Sequence, residues 1–270
     1  MRIRVPLTRH RLQEEARNKA LTELHKERPN AWGDEGRAFW GQTCEECGQT
    51  RPDQEIHGLA CQCERPRALE IQEAHLEAHR EELVEEIIQR ARIPRRFTGC
   101  TFDTFERVQG VDDALDATRE WADSFTLDTE RGILLAGNWG SGKTHLAVAA
   151  LRTTVERTFV EARFVSAGEL VSRVRSGERL DWTPVEEAIE AELLLLDDLG
   201  QEVGTEFVRD IVARVLFGRY DHARPTIMTS NLGPDGLKRV FGGAVLSRIH
   251  QMADARTLFS KDFRTRERAS

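Results

Sequence analysis

One glycine-rich segment limits the folds open to this chain more than any other feature. Residues 137–144 fit the pattern G-x-x-x-x-G-K-[S/T] without a mismatch, after an apolar run at 132–136 and before a helical pattern at 143–158. Glycines let backbone N–H groups turn toward phosphate oxygens, and a helix N-terminus adds positive partial charge. The segment therefore predicts a nucleotide site, and the alternative is a chance glycine-rich turn. Its residues are Gly137, Asn138, Trp139, Gly140, Ser141, Gly142, Lys143 and Thr144.

Two side chains of this loop have expected roles. The Lys143 ammonium is predicted to reach the β- and γ-phosphates, and the Thr144 hydroxyl is predicted to bind Mg²⁺. ATP and Mg²⁺ are therefore the expected cofactors.

A second motif is an aliphatic run that ends in two carboxylates. Four leucines at 193–196 precede Asp197 and Asp198, as in a parallel strand buried on both faces. Ligands bind at the carboxyl ends of such strands, so Asp197 is predicted to help hold Mg²⁺ and Asp198 to orient and deprotonate the attacking water. A core strand ending in a solvated acidic turn is the alternative. The next apolar strand, 226–230, leads to Asn231, which is predicted to contact the γ-phosphate or the water; ordinary turn chemistry is the alternative there.

Strand-like and helix-like segments alternate after residue 93, which predicts an α/β fold with a largely parallel sheet flanked by helices. The predicted strands are 132–136, 162–166, 193–197, 226–230 and 257–260. The predicted helices are 111–124, 143–158, 167–175, 205–221, 234–241 and 244–252.

The order of these motifs resembles that of the AAA+ ATPases in the DnaC/DnaI helicase-loader and IstB transposition-helper family. The resemblance covers roughly residues 93–265, and residues 93–105 resemble the segment that opens the ATPase domain. It implies a P-loop AAA+ domain that hydrolyses ATP. It also implies that Asn231 is the sensor asparagine and that Arg248 is an arginine finger for the nucleotide of a neighbouring subunit. Arg264 corresponds to a nucleotide-site arginine, although residues 261–264 depart from the family pattern G-x-S-Y-R.

A cysteine cluster lies before the ATPase motifs. Two close pairs within residues 44–63 supply four soft ligands, which suits tetrahedral Zn²⁺ better than disulfides in a chain without an export signal. An iron–sulfur cluster and unliganded thiols are the alternatives. The predicted ligands are Cys44, Cys47, Cys61 and Cys63, and the fifth cysteine, Cys100, is expected to be a small buried residue.

Helical patterns at 8–27 and 67–92 flank this cluster, and Pro94 follows the second. The predicted organisation is a small helical zinc-binding N-terminal domain, 1–92, and an AAA+ ATPase domain, 93–270. The resemblance implies that the N-terminal domain binds a replicative helicase. Since the IstB group usually carries a different N-terminal arrangement, this organisation favours a loader.

The net charge and the hydropathy of the chain exclude some classes of binding partner. A net charge of −7 argues against coating nucleic acid with the whole surface, so any DNA contact is local. Three arginines, Arg173, Arg175 and Arg179, are candidate contacts to single-stranded DNA, and a solvated face is the alternative. No apolar run approaches the ~20 residues of a membrane span, and no signal peptide is recognised, so a cytoplasmic protein is expected.

The leading functional hypothesis is an ATP-dependent loader that places a replicative DNA helicase on single-stranded DNA and assembles as an ATP-dependent homo-oligomer. An ATPase that assists transposition is the related alternative. A P-loop small-molecule kinase, which would leave the cysteines and Arg248 unexplained, and a zinc-bearing nucleotide-binding adaptor are alternatives from other classes.

Overall fold

The computed structural model describes residues 14–20, 22–23, 65–107, 109–175, 180–200 and 206–259. The chain divides into two compact units, and the division falls between Glu86 and Ile87. The predicted domain boundary, after residue 92, lies a few residues further along. No helix in the described ranges is long and apolar enough to cross a membrane.

The predicted helix at 67–92 is two helices, α1 (Arg65–Ala78) and α2 (Arg80–Arg90). The break has a local cause at His79. Its ring Nδ1 donates to the carbonyl of His75 at 2.9 Å, the group that the His79 N–H would use in a continuous helix. That N–H bonds the carbonyl of Leu76 instead, at 3.2 Å. Residues 14–20 and 22–23 are also helical, within the span predicted from 8 to 27.

A parallel sheet of five strands forms the centre of the second unit and confirms the predicted fold class. The strands lie in the order β2-β3-β4-β1-β5. Their bounds are β1 (Gly132–Gly137), β2 (Ala162–Ser166), β3 (Leu193–Leu199), β4 (Thr226–Ser230) and β5 (Ala253–Leu258). The predicted position of the last strand, 257–260, was wrong because the middle four residues of β5 are exposed and leave no apolar run in the sequence.

The helices of this unit are α3 (Asp112–Ser124), α4 (Lys143–Thr158), α5 (Ala167–Val174), α6 (Thr183–Glu190), α7 (Glu206–Asp221) and α8 (Pro234–Met252), with a 3₁₀ turn at Arg95–Phe97. Sequence reasoning missed α6, an eight-residue helix with Pro184 in its first turn. The two helices predicted over 234–252 meet at Gly242, where φ is +84°. All five leucines of β3 are completely buried, and the strand lies between β2 and β4 in the interior of the sheet, in agreement with the prediction of a strand buried on both faces.

Arg219 is a fully buried cation that ties α7 to its neighbours. Its guanidinium donates to the carbonyls of Ala188, Ile189 and Ala191 at 2.7–3.1 Å. It also donates to the Pro225 carbonyl at 2.7 Å and from Nε to the Thr226 hydroxyl at 2.8 Å. These bonds join the end of α6 to the start of β4.

We expect Arg219→Ala to lower the free energy of unfolding by about 3 kcal/mol or more, because it leaves several buried acceptors without donors. Burial, with a contribution from the charge of Arg224, lowers the pKa of Arg219 to about 9, so the side chain still carries a charge at pH 7. Urea denaturation measures the change. Arg209→Ala, exposed on the same helix, is the control and should shift stability by at most about 0.5 kcal/mol. An equal effect of the two substitutions would contradict the prediction.

Candidate nucleotide-binding site

The glycine-rich loop connects β1 to α4, as the sequence predicts. Two of its glycines are required by close approach. At Gly142, where φ is +89°, a Cβ would lie 2.6 Å from the Phe105 ring. At Gly137, a Cβ would lie 2.0 Å from the carbonyl oxygen of Leu258 on β5. The loop is thus held against two neighbouring segments, and a larger residue at either position would displace it.

Lys143 lies beneath the loop and is only 5% exposed. Its Nζ donates to the carbonyl of Asn138 at 2.7 Å and lies 3.4 Å from the hydroxyl of Ser141. The Ser141 hydroxyl donates to the same carbonyl at 2.9 Å. The ammonium is therefore already oriented into the curve of the loop, the position from which it can bind phosphate oxygens. Trp139 points outward and is 64% exposed.

The first turn of α4 meets the end of β3, so that the Thr144 hydroxyl donates to Oδ1 of Asp197 at 3.0 Å. A hydroxyl and a carboxylate are oxygen ligands of the kind that Mg²⁺ prefers, and this pair fits that cation. Oδ2 of Asp197 accepts no hydrogen bond from the described residues. Burial raises the pKa of Asp197, while the hydrogen bond from Thr229 acts in the opposite direction.

Asp198 follows in a backbone conformation that non-glycine residues seldom adopt, with φ at +61°. The pairing of β3 with β4 shifts register between Leu196 and Leu199, so the two aspartates lie at a bulge. Nδ2 of Asn231 lies 3.4 Å from Oδ1 of Asp198 and donates to it. The structure thus brings together the predicted base and the predicted sensor, which are 33 positions apart in the chain.

Thr229 also belongs to this site, and sequence reasoning missed it. It is completely buried on β4, and its hydroxyl contacts both aspartates. The available signal was its position near the carboxyl end of a predicted parallel strand, where ligand-binding side chains collect.

The segment before α3 lies against the start of α4. The ring of His145 contacts the Thr101 carbonyl at 2.9 Å and the Thr104 hydroxyl at 3.3 Å from Nε2. Phe105 meets the same ring edge-on, with centroids 5.2 Å apart. Residues 101–105 therefore pack beside the loop, a contact that the sequence alone did not reveal.

The described contacts of Arg248 are with a different element. Its guanidinium carbon lies 4.3 Å from the ring centroid of Phe217 and 5.5 Å from that of Tyr220, both on α7. Its Nε is buried and has no hydrogen-bond partner among the described residues. No hydrogen bond or ion pair in the described ranges joins it to the glycine-rich loop or the aspartates of its own chain.

The arginines predicted to contact DNA are in different surroundings. Arg173 donates to Glu187 at 3.0 Å, and Arg163 pairs with the same carboxylate. Burial alone would raise the pKa of Glu187, but the bonds and charges of these two arginines lower it below the usual value. Arg175 is exposed and lies over the Phe207 ring, 4.5 Å from its centroid. Arg173 thus already has a carboxylate partner, which it shares with Arg163, whereas Arg175 is exposed.

Several predicted residues fall outside the part of the chain that the structure describes. They are Arg179, Arg264 and the four cysteines Cys44, Cys47, Cys61 and Cys63. Cys100 is described and is buried, as predicted, and burial raises the pKa of its thiol. Within the described ranges, no cluster of three or more His, Cys, Asp or Glu side chains could hold a metal ion. The zinc site remains a prediction.

Comparison with known proteins gives concordant matches. The family model described as IstB-like ATP binding protein matches residues 70–263. The replicative helicase loader DnaC of Buchnera aphidicola subsp. Baizongia pistaciae is 25% identical over 66% of this chain and 74% of its own length. An ATP-binding protein of insertion sequence IS5376 from Geobacillus stearothermophilus is 28% identical over 61% of this chain and 64% of its own length.

Among solved structures, the crystal structure of the DnaC helicase loader superposes with a TM-score of 0.57 at 26% identity. The match covers 61% of this chain and 99% of that one. The parallel sheet, the glycine-rich loop and the two aspartates of β3 agree with this likeness. Since the family model spans well over half of the sequence, the chain belongs to the IstB-like ATP-binding proteins and is an AAA+ P-loop ATPase.

Proposed function

We propose that this protein is an ATP-dependent loader that places a replicative ring helicase on single-stranded DNA. The observation that carries the proposal is the likeness to the DnaC helicase loader, which extends over 99% of that crystallised chain. The DnaC loader of Buchnera aphidicola supports it at the level of sequence.

In this proposal each site residue has a distinct role in ATP hydrolysis. Lys143 binds the β- and γ-phosphates, and its burial beneath the loop strengthens that attraction. Thr144 and Asp197 hold Mg²⁺, which neutralises charge on the phosphates when bound. Asp198 accepts the proton of the attacking water, and Asn231, which bonds Asp198, orients it.

Arg248 acts in a neighbouring subunit. Its described contacts are with Phe217 and Tyr220 of α7 and not with its own glycine-rich loop, which is consistent with this role. A guanidinium that reaches the γ-phosphate from the next subunit stabilises charge in the transition state. Such a head-to-tail contact produces a ring or an open spiral, so hydrolysis depends on assembly.

DNA contact is assigned to the surface around Arg175. Arg175 is exposed where it lies over the Phe207 ring, and a cation in this position can attract the phosphate backbone of a single strand. Arg214 over Trp182, at 4.9 Å, is a second such pair. Phe164 on β2 is buried and takes no part in this surface.

A specific observation favours a second candidate function, an ATPase that assists transposition. The protein of insertion sequence IS5376 is 28% identical, a higher identity than that of the Buchnera loader. Affinity purification with a replicative helicase and, in parallel, with a transposase tests the two. Retention of the helicase supports the loader function, and retention of the transposase alone would favour the transposition function instead.

Deleting residues 1–86 should remove helicase binding and leave ATP binding intact.

We expect Lys143→Ala to weaken ATP binding by at least about tenfold, because charge-assisted hydrogen bonds to the phosphates are lost. Titration with a fluorescent ATP analogue measures the affinity. Lys238→Ala, exposed on α8, is the control and should bind normally. If the Lys143 variant binds ATP with wild-type affinity, the nucleotide binds at another site.

The cysteine cluster is proposed to hold one zinc ion per chain, because a structural ion supplies folding free energy to a short segment. Elemental analysis of the purified protein measures the metal content. Cys44→Ser is expected to lose zinc, whereas Cys100→Ser, which changes the fifth cysteine, is expected to keep it. Iron in place of zinc, or no metal, would overturn this assignment.

A further inference from the structure

Thr229 occupies an unusual position between β3 and β4. Because the register shifts between Leu196 and Leu199, Asp197 and Asp198 together lie opposite this single residue. A bulge of this kind interrupts the regular backbone ladder and leaves groups that need other partners. The side chain at position 229 is therefore the nearest group on β4 able to supply them.

The Thr229 hydroxyl bonds both aspartates. It donates to Oδ1 of Asp197 at 2.6 Å and accepts the backbone N–H of Asp198 at 2.9 Å. A hydroxyl has one donor and two acceptor positions, so one group can make both bonds. Since the residue is completely buried, water does not compete for either bond.

Each bond has a consequence for the site. Oδ1 of Asp197 accepts from both Thr229 and Thr144, which sets the plane of the carboxylate while Oδ2 accepts nothing from the described residues. The second bond holds the N–H of Asp198, whose φ of +61° is unfavourable for a residue with a side chain. In that conformation the Asp198 carboxylate meets Asn231.

We propose that Thr229 is a positioning residue, whose hydroxyl orients the Asp197 carboxylate toward the cation and holds Asp198 in its left-handed conformation. It acts through the two aspartates and does not touch the nucleotide. The inference rests on the proposed nucleotide and Mg²⁺ site but is independent of whether the protein loads a helicase.

The test compares nucleotide affinity with Mg²⁺ and with EDTA, using a fluorescent ATP analogue. Thr229→Val keeps the shape of the side chain and removes the hydroxyl. We expect it to bind in EDTA like wild type and to lose about tenfold or more of the affinity gained with Mg²⁺, the effect typical of a lost partner behind a metal ligand. Thr229→Ser, which keeps the hydroxyl, should retain the gain.

Thr154→Val is the matched control. Thr154 is completely buried on α4, and its hydroxyl has no hydrogen-bond partner among the described residues. The same chemical change there should leave the Mg²⁺ gain at its wild-type value. A loss in this variant equal to that of Thr229→Val would mean that any buried change perturbs the site, and would overturn the inference.

The other outcomes are also distinguishable. A wild-type Mg²⁺ gain in Thr229→Val, or its loss in Thr229→Ser, would refute the positioning role and leave the nucleotide site intact. Absence of any gain in the wild-type protein would refute the proposed Mg²⁺ site and this inference with it. Circular dichroism reports folding, and Thr229→Ala replaces the valine variant if that variant does not fold. Failure of both to fold would assign the hydroxyl to stability alone.

Discussion

Replacing Arg248 by alanine is expected to leave ATP binding near wild type and to reduce hydrolysis by about 1000-fold under conditions that assemble the protein. The physical reason is that a guanidinium from the next subunit would neutralise charge that develops on the transferred phosphoryl group, while contributing little to ground-state binding. Steady-state phosphate release with single-stranded DNA, measured over a range of protein concentrations, gives the rate. Wild-type hydrolysis should rise with concentration.

Arg239→Ala, exposed on the same helix, is the control for the loss of one positive charge. Because Arg248 lies over Phe217 and Tyr220 within its own chain, a thermal unfolding measurement must accompany the kinetic one. Normal hydrolysis by a folded Arg248→Ala protein under assembling conditions would refute the role in a neighbouring subunit and favour a monomeric adaptor.

The second large effect is expected for Asp198→Asn, which should bind ATP and lose hydrolysis by about 100-fold or more. The carboxamide has nearly the shape of the carboxylate but cannot accept the proton of the attacking water. Single-turnover hydrolysis measures the chemical step separately from product release. Asp210→Asn, at an exposed position on α7, is the control. Normal turnover by the Asp198 variant would show that another residue is the general base.

Mixing the two variants tests both assignments together. A subunit with Arg248→Ala retains Asp198, and a neighbour with Asp198→Asn retains Arg248, so their interface combines one intact base with one intact finger. Partial recovery of hydrolysis on mixing is expected. No recovery, when both proteins still assemble, would contradict the pairing of these residues across an interface.

The sequence predicted the nucleotide site because its motifs are local. The eight residues 137–144 are consecutive, and the strand and helix that flank them follow from apolar periodicity, so β1 and α4 have nearly the predicted bounds. The leucines before Asp197 likewise identified an interior strand of the sheet. The last strand was misplaced, because β5 is exposed over its middle residues and its position depends on pairing with β1.

By itself, then, the sequence determined the α/β class, the glycine-rich loop and the order of the residues at the strand ends, since these depend on neighbours along the chain. Only the tertiary structure decided which distant groups meet. Thr229 bonds both aspartates because β4 lies beside β3 at a bulge, and Gly142 must be glycine because Phe105 packs against it. Contacts of this kind follow from strand order and register, which local periodicity does not specify.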